Sequence, residues 1–173
     1  MSVTIPFNHN IYLTYVMALQ FETNGLYLLL SERGDAYTFH WGLYLAKSTT
    51  DGEIFHLINL QNSAAWKYEY KLSRTVASSN RLVLALKVAV MDPSLHDTLQ
   101  SRLSQVPVQD STRFNERITC RVWVKEALFA LDEEGYIKLT GTINQIEQEA
   151  KNKAMVNKAA EIKTVAKSGL SQP

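Results

Sequence analysis

The spacing of apolar and polar positions changes near the middle of the chain, and the change predicts two kinds of structure. Up to about residue 91 the apolar residues come in short runs separated by turn residues, which is the signature of strands. Ile11–Leu19 is rich in aromatic and branched residues, and Leu26–Leu30 follows the turn pair Asn24-Gly25. Tyr37–Ala46 and Glu53–Leu60 flank a polar stretch that ends in Asp51-Gly52, so they predict a hairpin with a longer loop. Trp66–Leu72 alternates aromatic with charged residues and predicts an exposed strand. Arg81–Met91 is a longer apolar run and predicts a central one.

Beyond that point the period becomes helical. Asp92-Pro93 is a helix start, and Leu95, Leu99 and Leu103 repeat at a spacing of four before Pro107 stops the segment. A second helix is expected from Thr119 or Cys120, carrying Val122, Trp123, Leu128 and Leu131 and ending before Gly135. Asn144–Lys167 is rich in Ala, Lys, Glu and Gln and predicts a helix whose weak stripe includes Ile146, Ala150, Met155 and Ile162. Ser168–Pro173 reads as a disordered end. The expectation is an α+β domain over residues 1–140, a mostly antiparallel sheet packed against a few helices, followed by a C-terminal helix and flexible tail over 141–173.

Composition narrows the function classes. The 173 residues are 46% hydrophobic and 20% charged, enough for one buried core. A net charge of +1 gives no basic footprint, so no nucleic-acid partner is expected. The apolar runs are too short for stable membrane insertion, and no secretory or lipidation signal is read, so a cytoplasmic protein is expected. Cys120 is the one cysteine, which excludes an internal disulfide. No Cys/His cluster has zinc spacing, and no metal or cofactor is expected.

The candidate chemistry lies in Phe39-His40-Trp41-Gly42-Leu43-Tyr44-Leu45. In a strand, Phe39, Trp41, Leu43 and Leu45 form one bulky face, and His40, Gly42, Tyr44 and Ala46 form the other. Gly42 leaves room beside His40 for a close approach. A hairpin centred near Ser48 sets His40 opposite or nearly opposite His56, on one face. His56 can then hold the ring and tautomer of a His40 base, with Asn59 and Gln61 as alternative orienting groups. Thr119 as a helix cap would put Cys120 in a first helical turn, where free N–H groups favour a thiolate and can hold an oxyanion. Arg121 adds a positive charge beside it, and Tyr44 shares the face of His40; both are candidate substrate or oxyanion contacts. His9 and His96 read as surface or loop residues. Trp41, Trp66 and Trp123 read as core.

His40-Trp41-Gly42-Leu43-Tyr44-Leu45, followed by Ile54-Phe55-His56-Leu57, resembles the histidine block of the lecithin retinol acyltransferase and phospholipase/acyltransferase family. That family is a permuted branch of the papain-like NlpC/P60 group. The resemblance implies a permuted papain-like fold with His40 as base, His56 as orienting residue and Cys120 as nucleophile. The chain carries Thr119-Cys120-Arg121-Val122 where that family usually has Asn-Cys-Glu-His, so what carries over is the cysteine–histidine pair and not the lipid substrate. Residues 10–138 are also similar to a set of fungal proteins that share the His-Trp strand and a later Cys-Arg-x-Trp helix start, here Cys120-Arg121-Val122-Trp123. The expected function is cysteine-dependent hydrolysis or acyl transfer on an ester, thioester or amide. The alternative is a binding module of the same fold, with an inert Cys120 and the C-terminal helix as its partner surface.

Overall fold

Strict alternation along Phe39–Ala46 sorts the molecule into two cores on opposite sides of one sheet. Phe39, Trp41, Leu43 and Leu45 join the larger core with the helices, while Tyr44 and Ala46 join a smaller one with Phe21, Tyr27 and Leu29. The computed structural model describes residues 19–34, 37–59 and 65–172. The strand expected over Ile11–Leu19 lies almost wholly outside them.

The strands are β1 (Gly25–Glu32), β2 (Phe39–Ala46), β3 (Gly52–Ile58), β4 (Lys67–Ser73), β5 (Leu82–Val90) and β6 (Thr164–Lys167). They form one sheet in the order β4-β3-β2-β1-β5-β6, antiparallel except for the parallel β5–β6 pair. The helices are α1 (His96–Ser104), α2 (Cys120–Glu133) and α3 (Ile143–Ala159), and a 3₁₀ turn, Pro93–Leu95, leads into α1. The fold is α+β, with a six-stranded mixed sheet. α2 packs on β2 and β3, and α3 packs on β5 and β1.

The predicted helix signals act locally as read. Asp92 accepts from the Ser94 backbone N–H, with Pro93 in the first position. Thr119 is extended and its hydroxyl accepts from Val122 N–H, so α2 begins at Cys120. Gly135 adopts a φ of 77°, and Tyr136 N–H reaches Leu131 O at 2.8 Å, closing α2 with a left-handed cap that glycine accommodates without strain.

The C-terminal region departs from expectation. The helix ends at Ala159, and Thr164–Lys167 turns back as β6 beside β5. The cause is tertiary. The buried Asn157 amide donates to Val83 O at 3.0 Å and to the Thr164 hydroxyl at 2.8 Å, pinning the helix end to the sheet. Glu161 then turns the chain with a φ of 55°. Ser168 and Gln172 are also held, by backbone bonds to Lys87 and Lys138, so residues 168–172 are an ordered end and not a disordered one. Ile146, Ala150 and Ala154 face the main core, which makes residues 141–172 part of the same body as the sheet.

Candidate active site

β2 and β3 pair with Gly42 opposite His56. This register is offset by two residues from one that sets His40 opposite His56. An offset of two preserves the face, because side chains alternate with period two. The histidines are therefore diagonal neighbours, and His40 Nε2 lies 2.8 Å from His56 Nδ1. Gly42 is what permits this. A Cβ there would sit 3.2 Å from the Cβ of His56 and 3.3 Å from Phe55 O.

A third member follows on β4. Glu69 pairs with His56 across the strands, and its Oε2 lies 2.7 Å from His56 Nε2. Sequence reading passed over Glu69 because its strand looked merely solvated. The usable signal was parity: Glu69 alternates with Tyr68 and Tyr70, which pack toward the main core, so it must point the other way.

The chain Glu69–His56–His40 has a determined polarity. Hydrogen bonding from His56 holds the Glu69 carboxyl below its usual range, so Glu69 is an acceptor only. His56 Nε2 must then donate. Burial keeps the His56 pKa below the ordinary imidazole value, which leaves Nδ1 as an acceptor at neutral pH. His40 Nε2 donates to it. Burial, and then the neighbouring His56, push His40 down to about 4. The remaining nitrogen of His40, Nδ1, is consequently a bare lone pair. The relay lines a cleft of about 470 Å³ together with Asn59, Arg33, Lys71 and Arg81.

Cys120 is placed by α2. Its side chain is 2% exposed and packs in the main core. Backbone N–H groups of Trp41, Arg121 and Cys120 itself lie close enough to favour its thiolate, so it sits near the peptide unit that follows His40. Burial nevertheless dominates and raises the thiol pKa above its ordinary value, against the lowering contributions of these amides and of Arg33. The expected depression of the thiol pKa by the helix start is therefore overturned: desolvation outweighs the helix-end field. His40 bonds to His56 on the face of β2 opposite Trp41, while Cys120 lies on the helix face in the main core, and no hydrogen bond among the described residues joins the two. The two groups open onto neighbouring cavities that share Arg33.

Two expected substrate contacts are re-assigned. Tyr44 is fully buried and stacks edge-on with Phe21 in the smaller core, its hydroxyl directed at Thr50 O, so it lines neither cavity. It shares the face of His40 but lies four residues further along β2, under the turn into β3. Arg121 does border the Cys120 cavity, but its guanidinium is held by Glu116 and by Glu147, the latter at 2.5 Å. The same carboxylates hold the buried Lys125 at 2.6 and 2.8 Å. Arg121 is thus a clamp between α2, α3 and the preceding loop.

The other predictions sort simply. His96 is buried, not surface-exposed, with its Nδ1 2.7 Å from Lys47 Nζ. Trp41 and Trp123 are core, and Trp66 packs against its edge. His9 and Gln61 lie outside the described residues. Among the described residues no His/Cys/Asp/Glu group has the makings of a metal site, and no helix is long and apolar enough to cross a membrane.

The model of DUF6540, a family of unknown function, matches residues 26–138, and the chain belongs to that family. The matched span contains His40, His56, Glu69 and Cys120. No curated protein and no solved structure matches the chain.

Proposed function

We propose that this protein is a cysteine-dependent enzyme of the permuted papain-like kind, hydrolysing or transferring an acyl group through Cys120 with His40 as its base. The observation that carries the reading is the polarity of the Glu69–His56–His40 chain, which leaves His40 Nδ1 as a proton acceptor. The placement of Cys120 beside Trp41 in the main core supports it, because Trp41 follows His40 in β2.

The thiol and the imidazole both rest neutral, since burial disfavours both charged forms. Catalysis is then of the general-base type. His40 Nδ1 takes the thiol proton as sulfur attacks the carbonyl carbon. The carbonyl π electrons move onto oxygen, where N–H groups at the start of α2 stabilise the charge. The imidazolium of His40 returns its proton to the leaving oxygen, sulfur or nitrogen as that bond breaks. In the second half His40 deprotonates water or an amine, which attacks the thioester, and the thiol is regenerated. His56 holds the base in the required tautomer, and Glu69 holds His56.

The test is acylation by p-nitrophenyl acetate, followed by nitrophenol release and intact mass. One acetyl group on Cys120 is expected, absent in Cys120→Ala and slowed by roughly a hundredfold or more in His40→Ala. A folded protein that takes no acetyl group on Cys120 overturns the reading. One observation favours a second reading, a binding module of the same fold: Cys120 is 2% exposed, the burial of an inert core cysteine. That module would show the same absence of acylation together with slow thiol alkylation at every pH.

A further inference from the structure

The thiol opens onto a cavity of about 240 Å³, just below the usual range for ligand sites. Among the described residues its walls carry Arg33, Arg121 and Lys151 and no carboxylate. The three cations are not equivalent. Arg121 is neutralised by Glu116 and Glu147. Arg33, just beyond β1, and Lys151, on α3, are exposed and form no ion pair among the described residues. Two cations from distant parts of the chain, without an ion pair among the described residues, therefore converge on one cavity with the thiol in its wall. Arg33 also borders the neighbouring cleft of the histidine relay. Its charge is felt by both Cys120 and His40.

Unpaired cations around a small concave site favour an anion, and a guanidinium fits a planar carboxylate with two parallel hydrogen bonds. The aromatic and aliphatic surfaces of Phe39, Trp41 and Tyr37 line the remainder. From this we infer that the Cys120 cavity takes a small acyl substrate carrying a carboxylate, recognised by Arg33 and Lys151 beside the scissile carbonyl. This rests on the thiol-enzyme reading and adds the substrate class to it. Anchoring the carboxylate fixes the carbonyl relative to sulfur, so binding and orientation come from the same contact.

The test compares two alkylating reagents of like size and mechanism, iodoacetate and iodoacetamide, at one pH. The quantity read is the ratio of their rates at Cys120, in the native protein and in the unfolded chain. The native ratio is expected to exceed the unfolded one by about tenfold. It should fall back toward the unfolded value in the double variant Arg33→Gln, Lys151→Gln; the ratio cancels any change in thiol reactivity that both reagents share. Both side chains are exposed and without ion pairs, so the variant is expected to keep its fold, which circular dichroism checks. A native ratio equal to the unfolded one, or one indifferent to the double variant, overturns the carboxylate preference and leaves the thiol reading standing. A native thiol inert to both reagents overturns the thiol reading, and the substrate class with it.

Discussion

His40 Nε2 donates to His56 Nδ1 across 2.8 Å, and this one bond decides which nitrogen of His40 is left to accept a proton. The donor role is imposed from outside the pair. Glu69, fixed as a carboxylate, makes His56 donate through Nε2 at 2.7 Å, and each imidazole passes the constraint on. A base positioned this way needs no charged partner of its own.

Glu69 is accordingly a positioning residue. Glu69→Leu removes the acceptor at the head of the chain, and the His56 and His40 tautomers should become mixed. Acylation of Cys120 is expected to slow by about ten- to a hundredfold. Glu69→Gln keeps an acceptor oxygen and should recover most of the rate. The decisive readout is the ¹⁵N chemical shift of the His40 ring. A Nδ1 that stays fully unprotonated in Glu69→Leu would show that Glu69 does not set the tautomer.

The burial of neutral His40 makes stability depend on pH with a definite sign. Its pKa is about 4 in the folded protein and about 6.5 in the unfolded chain, so the unfolded state binds more protons between those values. Its contribution is therefore fully present above pH 6.5 and is lost as pH falls toward 4. The size is on the order of 3–4 kcal/mol before discounting for partial solvent access, and less after it. Denaturant titrations at pH 7.5 and 4.5 should show this loss, and His40→Gln should show less of it. Equal slopes in the two proteins would place the acid sensitivity elsewhere.

Gly42 gives a steric test of the same contact. A methyl group there meets the Cβ of His56 and a β3 carbonyl at distances tighter than ordinary packing. Backbone on one side cannot yield, so His56 must move. Gly42→Ala should cost about 1–3 kcal/mol in stability and weaken the His40–His56 bond, slowing acylation more than a uniform loss of fold would. Full activity in a protein destabilised by this amount would mean that the relay tolerates displacement.

These sites differ in how legible they were. The His40 face, the Thr119 cap and the Gly135 stop follow from local rules, and local rules were enough to place them. The hairpin register is two residues from exact opposition, within the near-opposition expected, and parity alone governs which side a histidine takes, so the pair meets on one face. Glu69, Tyr44 and β6 were not legible for a common reason. Each depends on a partner outside its own segment: Glu69 on His56, Tyr44 on Phe21, and β6 on β5, to whose Val83 carbonyl the Asn157 amide ties the helix end. The thiol was misjudged differently. Helix-end placement and burial act in opposite directions on its pKa, and only the packed structure shows that burial dominates.

Arg121 supplies the last prediction, because its two expected roles separate experimentally. As a substrate contact it would affect acylation alone. The structure instead ties it, with the buried Lys125, to Glu116 and Glu147. Removing one cation from such a group leaves carboxylates partly desolvated and facing each other, which costs about 3–5 kcal/mol when burial is complete. Arg121 is about a third exposed and Lys125 almost wholly buried, so the penalties should be ordered. Lys125→Met is expected to destabilise by roughly 3 kcal/mol and Arg121→Met by about 1–2. Replacing Glu116, Glu147, Arg121 and Lys125 together by apolar residues should recover much of the loss, since no unpaired charge then remains. Denaturant midpoints measure all three. An Arg121→Met protein with unchanged stability and lost acylation would return Arg121 to the substrate side of the cavity.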